Sequence, residues 1–417
     1  MAWQRMYFTA RCISHWVVPE SILTMTAPDE TQAGIYIHIP FCRAKCAYCD
    51  FASYAGLEAL ADDYVDALSA EITHRATEWS DTILGSLFFG GGTPTLLPPA
   101  AIAHLIAHCR AALSLADDAE ITVEANPGTI DAESLTHLRD AGVNRLSLGV
   151  QSLHDDELAM LGRIHSAAEA VAAVEAARSA GLSNISLDLI YGLPGQTLAR
   201  WEDTVRRALA LEPEHLSLYG LSVEAGTPLE ACIECGLLPA PDDDLAADMY
   251  ERAGELLDQA GYAQYEISNW ARRSAGDVSG RIPALASRHN LIYWRNERYL
   301  GVGAAAHSYD GQVRRSNVVD PPEYIRRIRA GQSPVDESET ADLDRRMADT
   351  MMLGLRLNVG VDEETFSARF GLALREAYGA EIDRLVDEGL LEADDRGVRL
   401  TPHGRLLGNR VFAEFLR

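Results

Sequence analysis

Three cysteines, Cys42, Cys46 and Cys49, stand in the run Ile35 to Phe51 (IYIHIPFCRAKCAYCDF) with the spacing C-x3-C-x2-C and no fourth cysteine close by. Thiolates packed this tightly in one loop can hold three irons of a cubane iron–sulfur cluster. The fourth iron then keeps an open coordination position, which is what separates a working metal site from a structural one. Two other readings compete, a zinc site and three unrelated buried cysteines. Zinc asks for a fourth Cys or His, which weighs against it. The alternating run Ile35-Tyr36-Ile37-His38-Ile39 ahead of the cysteines ends at Pro40 and reads as a strand. A strand that delivers a cysteine loop puts the site at the C-terminal mouth of a parallel barrel.

Further along, Gly90-Gly91-Gly92 ends a short buried-strand run, Ser86 to Phe89. Glycine lets backbone approach a ligand closely, with free N–H and C=O groups, although a lone triple glycine is more often a turn. Glu124, Gln151 and Asp188 fall at the ends of, or within, three later strand-like runs. Polar side chains at successive barrel-strand ends converge on one mouth, where ligands of such folds sit. Arg163, about a dozen residues past Gln151, is a charge-assisted donor for a ligand carboxylate. Each residue alone is at least as readily a structural hydrogen bond or a cap. Taken together in this order, they point to a ligand.

Helices must alternate with these strands to position them. An amphipathic helix is expected over roughly 59–75, with Tyr64, Leu68 and Ile72 on one face. Others are expected near 100–113, 131–141, 167–180 and 198–209. With Ile35–Ile39, strands near 86–89, 120–125, 145–150, 185–191 and 215–220 make six. Such alternation forces parallel pairing through right-handed crossovers. Six units are too few for a closed eight-strand barrel, so the expected fold is α/β, an open, partial (β/α)6 barrel. The chain divides into an N-terminal extension (1–33), the barrel (34–270), a middle segment (271–340) and a C-terminal domain (341–417). The middle segment is expected to be a Gly/Ser-rich loop, the aromatic run His289 to Tyr309, and a polar linker over roughly 310–340. The C-terminal domain is expected to be mainly helical and winged-helix-like. Winged helices usually suggest DNA, but Glu381, Asp383, Asp387, Glu388, Glu392, Asp394 and Asp395 favour a packing or partner role.

The runs YIHIPFC, GGGTPT, VEANPGT, RLSLGVQS, LGRIHS, DLIYGLPGQT and HLSLYGLSVEAGTPL, in this order, resemble the HemN/HemW branch of the radical S-adenosylmethionine (SAM) superfamily. The resemblance covers about residues 34–417. It implies a [4Fe-4S] cluster on Cys42, Cys46 and Cys49, with SAM at the open iron. It places Tyr36, Tyr48, Gly91, Gly92, Thr93, Glu124, Gln151, Arg163 and Asp188 around SAM. It also implies one-electron cleavage of SAM, fed by a donor such as flavodoxin or ferredoxin, with the cofactor carrying the hard step. The branch contains an oxygen-independent coproporphyrinogen III oxidase and a haem chaperone. The oxidase pattern has another cysteine two residues after the third cluster ligand. This chain has Phe51 there, which is similar to the chaperone side. His289-Asn290-Leu291-Ile292-Tyr293-Trp294 matches the HNxxYW motif associated with haem on that side.

The residue chemistry allows this, since His289 offers an axial nitrogen and Tyr293 and Trp294 offer flat faces for a porphyrin. The other reading makes Tyr293 and Trp294 core aromatics and His289 a helix cap or hydrogen-bonding residue. His307 is a second candidate ligand. The expectation is a haem chaperone that carries a cluster and SAM and passes haem to an acceptor apoprotein. The alternatives are coproporphyrinogen decarboxylation, a haem-degrading methyltransferase, and a storage or regulatory iron–sulfur protein. No residue stands out as a substrate acid, base or nucleophile.

Composition bounds these readings. The 417 residues carry a formal net charge of −26, which argues against nucleic acid and anionic membranes, since both ask for a basic face. No apolar run approaches the ~18 residues of a spanning helix. Seven cysteines, an odd number with three clustered, suit a reducing compartment, so a cytoplasmic location is expected. Cys232 and Cys235 form a CxxC without a second pair and are expected to sit unmodified on a helix; Cys12 and Cys109 read as isolated. The acidic run Asp242-Asp243-Asp244 after Pro241 reads as a helix N-cap with dipole-favoured charge, ahead of a helix expected over 245–260. Met25 is a candidate start, followed by a short polar lead-in.

Overall fold

A computed structural model describes residues 33–278 and 280–416. The expectations for the N-terminal extension, Met25 and Cys12 lie outside the described residues. Strand β1 (Ala33–Ile39) leads into two short strands at the cysteine loop, β2 (Phe41–Cys42) and β3 (Tyr54–Ala55). Helix and strand then alternate through α1 (Ala61–Arg75), β4 (Leu84–Gly91), α2 (Pro99–Ala112), β5 (Leu115–Ala125), α3 (Ala132–Asp140) and β6 (Arg145–Gln151). The series continues with α4 (Asp155–Met160), α5 (Ala167–Ser179), β7 (Ile185–Tyr191), α6 (Leu198–Leu209) and β8 (His215–Gly220). Next come α7 (Pro228–Glu234), α8 (Asp243–Gln259) and a hairpin of β9 (Tyr262–Glu266) and β10 (Asn269–Arg272). Asp242 caps α8, accepting from the Leu245 N–H.

The next stretch contains α9 (Arg288–Trp294), β11 (Tyr299–Val302), β12 (His307–Tyr309), β13 (Val313–Asn317), α10 (Pro321–Arg329) and β14 (Val335–Thr340). Of β1 to β14, all but the two short strands at the cysteine loop join one sheet, in the order β14-β13-β12-β11-β1-β4-β5-β6-β7-β8-β10-β9. From β11 to β8 every neighbour pairs parallel. The six expected strands are therefore joined by a seventh parallel one, β11, which returns late in the chain to pair with β1. The linker expected over 310–340 is also corrected, because it folds as β13, α10 and β14. β14 reads VDESET and is exposed almost throughout. Charged residues are what an unprotected sheet edge carries, so an edge strand mimics a linker in sequence.

Strands buried in parallel sheets usually read as continuous apolar runs, but these alternate. In β6, Leu146, Leu148 and Val150 enter the core under the helices, while Arg145, Ser147 and Gly149 face the other way. The same holds for Ile121 and Val123 against Thr122 and Glu124, and for Leu187 and Leu189 against Ser186 and Asp188. With period two, one face makes the core and the other lines a polar lumen.

The C-terminal segment has its own core around Met351, Phe366, Tyr378, Ile382 and Phe415. It contains α11 (Leu343–Gly354), β15 (Val361–Asp362), α12 (Glu363–Phe370) and α13 (Leu374–Asp387), then β16 (Leu391–Asp394), β17 (Gly397–Leu400), α14 (Pro402–Leu406) and α15 (Gly408–Ala413). The wing is three-stranded, in the order β15-β17-β16. Among the described residues no helix is long and apolar enough to cross a membrane.

Candidate functional site

The cysteine loop is laced to the glycine turn by backbone. Gly92 N–H donates to the Ile39 carbonyl and Thr93 N–H to the Phe41 carbonyl, each at 2.8 Å. The approach leaves no room for a side chain. A Cβ on Gly92 would lie 2.5 Å from the Phe41 oxygen and 3.0 Å from Cys42 Sγ. Gly91 has φ +115° and backs onto the His38 ring. These two glycines are where the expected close approach occurs.

The three thiols gather beside this turn. Cys42 Sγ lies 3.7 Å from Thr93 Oγ1, Cys49 Sγ 3.8 Å from Ser53 Oγ, and Arg163 donates to Cys46 Sγ at 3.3 Å. Burial pushes the Cys42 and Cys49 thiols up, and each also feels Cys46. Among the described residues no three His, Cys, Asp or Glu side chains converge on a single metal ion. Three thiols within electrostatic reach of one another beside a glycine cradle fit a cubane cluster that takes one thiolate on each of three irons.

Around this loop the lumen brings several of the expected SAM residues to one mouth. Glu124 accepts from Gly91 N–H at 3.1 Å. Burial, then the charge of Asp188, raises its carboxyl to about 8. Asp188 accepts from Ser147 Oγ at 3.1 Å, and burial raises it too. Arg163 spends its second donor on the Gly149 carbonyl at 2.7 Å, with Tyr48 against it. Gln151 ends β6 at a register slip with φ +67°, a left-handed conformation costing about 1–3 kcal/mol in a non-glycine residue. Its amide nitrogen folds back to within 3.0 Å of where a Gly149 Cβ would stand. The Tyr36 hydroxyl donates to His38 Nδ1 at 3.0 Å.

Sequence reasoning missed two residues here. His38 also bonds the Ala52 carbonyl through Nε2, and burial holds it at about 4, so the ring is neutral. Asn126 donates to Thr93 Oγ1 at 2.9 Å, tying β5 to the glycine turn. Both were legible: His38 shares the period-two face of Tyr36, and Asn126 follows Glu124 at the strand end. Cys235 lies exposed just past α7, whose Leu229 N–H reaches the Ala47 carbonyl in the cysteine loop; Cys109 is buried in α2.

The HNLIYW segment forms α9 and closes the inner end of the lumen. Glu120 caps it, accepting from the Arg288 and His289 N–H groups at 3.0 and 3.1 Å. His289 is 1% exposed. Its Nδ1 pairs with Ser86 Oγ at 2.8 Å and its Nε2 with Tyr293 Oη at 3.0 Å. The ring stacks on Phe88 at 4.9 Å, and burial pushes it down to about 3. Both ring nitrogens are thus committed inside the protein, and iron coordination requires one of those bonds to open. Tyr293 packs edge-on against Tyr299. Trp294 points away, to the Arg356 guanidinium 4.5 Å from its ring, so the structure does not gather all three on one face. His307 stands exposed at the start of β12 and within electrostatic reach of His38.

Residues 36–208 match the radical SAM superfamily and residues 341–407 the HemN C-terminal domain. The chain is 39% identical over 382 residues to the heme chaperone HemW of Bacillus subtilis (strain 168), covering 91% of this chain and 98% of that protein. It is 35% identical over 392 residues to the mitochondrial radical S-adenosyl methionine domain-containing protein 1 of Bos taurus, covering 91% and 86%. In structure it resembles HemN, the radical SAM coproporphyrinogen III oxidase of Escherichia coli. The TM-score is 0.80 at 28% identity, over 93% of this chain and 90% of that one.

Proposed function

For a chain that belongs to the HemW family within the radical SAM superfamily, we propose the function of a haem chaperone that carries a [4Fe-4S] cluster and SAM and hands haem to an acceptor apoprotein. The observation that carries the reading is 39% identity, over nearly the full length, to a heme chaperone, joined to Phe51 where the oxidase pattern has a cysteine. Cys42, Cys46 and Cys49 would hold the cluster. Tyr36, Tyr48, Gly91, Gly92, Thr93, Glu124, Gln151, Arg163 and Asp188 would hold SAM. When bound, the cluster and SAM together supply one-electron reductive cleavage.

The chain's own groups then have distinct tasks. Glu124 would face the cationic amino group of SAM, and Asp188, held by Ser147, would accept from its hydroxyls. Arg163 steadies the Cys46 thiolate, and neutral His38 holds Tyr36 against the lumen wall. His289, Tyr293 and Trp294 are proposed for haem. Coordination through His289 Nε2 would displace the Tyr293 hydroxyl, with Ser86 then fixing the ring through Nδ1, since a hydrogen bond at the other ring nitrogen orients a ligating histidine. A one-electron donor of flavodoxin or ferredoxin type would feed the cluster. The location proposed is the cytoplasm, although the bovine relative is described as mitochondrial. Neither nucleic acid nor a membrane is proposed as a partner.

The test is an anaerobic haem titration followed at the Soret band, with His289→Ala and His307→Ala beside wild type. Saturation near one haem per chain, weakened in His289→Ala, supports the reading. Weakening only in His307→Ala moves the axial ligand to the mouth. Absence of saturable binding, or coproporphyrinogen turnover above background, overturns the chaperone reading.

A further inference from the structure

We propose that Arg145, at the floor of the barrel lumen, is the receptor for a ligand carboxylate; on the haem reading above, on which this rests, that group is a haem propionate. Arg145 opens β6, and its inward place in the alternation sets it in the lumen below Ser147 and Gly149. It is 2% exposed, and its buried Nε has no hydrogen-bond partner. Among the described residues its guanidinium forms no ion pair. The other buried arginine, Arg75, is paired with Glu78 at 2.9 Å. An unpaired charge inside a protein is costly, and native structures rarely leave one without a purpose.

The surroundings point to a missing anion. Thr122 lies in register with Arg145 on the neighbouring strand, and its Oγ1 is also buried without a partner. Two orphan polar groups thus face the same layer of the lumen. The carboxylate two residues before Thr122, Glu120, is spent on the N-terminus of α9. Glu124 and Asp188 feel the charge of Arg145 without pairing with it.

The planar guanidinium fork is built to take a carboxylate through two parallel hydrogen bonds. Above the floor the wall is aromatic. Tyr36 stacks near Phe88, Tyr293 meets Tyr299, and Tyr219 is 44% exposed. A flat apolar body with an acidic arm matches that combination, and His289 lies close enough to feel Arg145 as well. Iron at His289 and a propionate at Arg145 would fix both the depth and the rotation of the ring.

The experiment compares haem with its dimethyl ester, titrated anaerobically into wild type, Arg145→Gln and Arg145→Lys, with SAM binding measured in parallel by equilibrium dialysis. Wild type is expected to prefer the free acid by about tenfold or more, the size of a charge-assisted pair. Arg145→Gln should bind acid and ester alike, at the affinity wild type shows for the ester, and Arg145→Lys should keep part of the preference. Equal affinity of wild type for acid and ester overturns the proposal without any variant. A folded Arg145→Gln that keeps the preference overturns it too. If Arg145→Gln loses SAM yet still prefers the acid, the carboxylate belongs to SAM and the propionate assignment falls. If wild type binds neither porphyrin, the chaperone reading fails and the propionate with it.

Discussion

At Glu124 the lumen holds a carboxyl that burial and Asp188 together raise from 4.5 to about 8. In that window the native state keeps a proton that the unfolded chain has lost. The contribution to stability is therefore full below the unfolded value, shrinks as pH rises, and is gone above the folded value. The cofactor-free protein should lose thermal stability between about pH 5 and 8 more steeply than Glu124→Gln, whose amide does not titrate. Parallel melting-temperature profiles for the two proteins would sink this. A second residue-scale expectation concerns Tyr293. If its hydroxyl competes with iron for His289 Nε2, Tyr293→Phe should bind haem several-fold more tightly in the Soret titration, and weaker binding would make Tyr293 itself a contact. The cysteines, Glu124 and Asp188 were legible as candidates because residue type and place on a strand or its following loop sufficed. The commitment of His289 could not, because it is set by Ser86, which lies 203 residues away. Arg145 was half legible, since RLSLGVQ alternates where a parallel core strand should not.

The glycine turn and the cysteine loop act as one element, joined by backbone bonds rather than by side chains. Gly92 is the tightest point, and its only relief would be movement of the Phe41 carbonyl. Gly92→Ala should therefore cost about 1–3 kcal/mol by overpacking and shift the cysteine loop away from the turn. Anaerobic reconstitution should yield clearly less iron and sulfide per chain, with the far-UV spectrum unchanged. Full iron content in a folded Gly92→Ala protein would show that the loop is positioned from elsewhere. Order and spacing of the βα units were readable at this scale, because each strand carries its own alternation and each helix its own apolar stripe. β11, β13 and β14 were not. The first is a short strand whose parallel partner, β1, lies at the opposite end of the sequence, and the last is an edge whose charges imitate a linker.

Across the whole molecule, α9 stands between two cores. One end reaches into the lumen through His289 and Tyr293; the other meets the C-terminal domain through Trp294. Arg369 donates to the Arg295 and Asn296 carbonyls at 3.0 and 2.9 Å, and Asn296 donates to Thr350 Oγ1 at 3.1 Å. Arg356 completes the joint, over the Trp294 ring and 3.9 Å from Glu266, which is fully buried. The small domain is thereby a clamp on α9, the helix proposed above for haem, which gives its acidic winged-helix shape a task other than DNA. Removing Arg356 leaves the Glu266 carboxylate without its cation and strips one face of Trp294. The contact is long, and burial already raises the Glu266 carboxyl, which can take up a proton. The cost therefore falls below the about 3–5 kcal/mol of a hydrogen-bonded buried pair, and Arg356→Ala should unfold at a lower temperature. The cysteine loop lies at the opposite, C-terminal mouth, so iron and sulfide content after reconstitution should match wild type while haem affinity falls. A variant that loses cluster and haem together would mean that the two ends of the lumen are not independent, and the clamp would be a support for the entire barrel. One that keeps both would remove the C-terminal domain from haem binding.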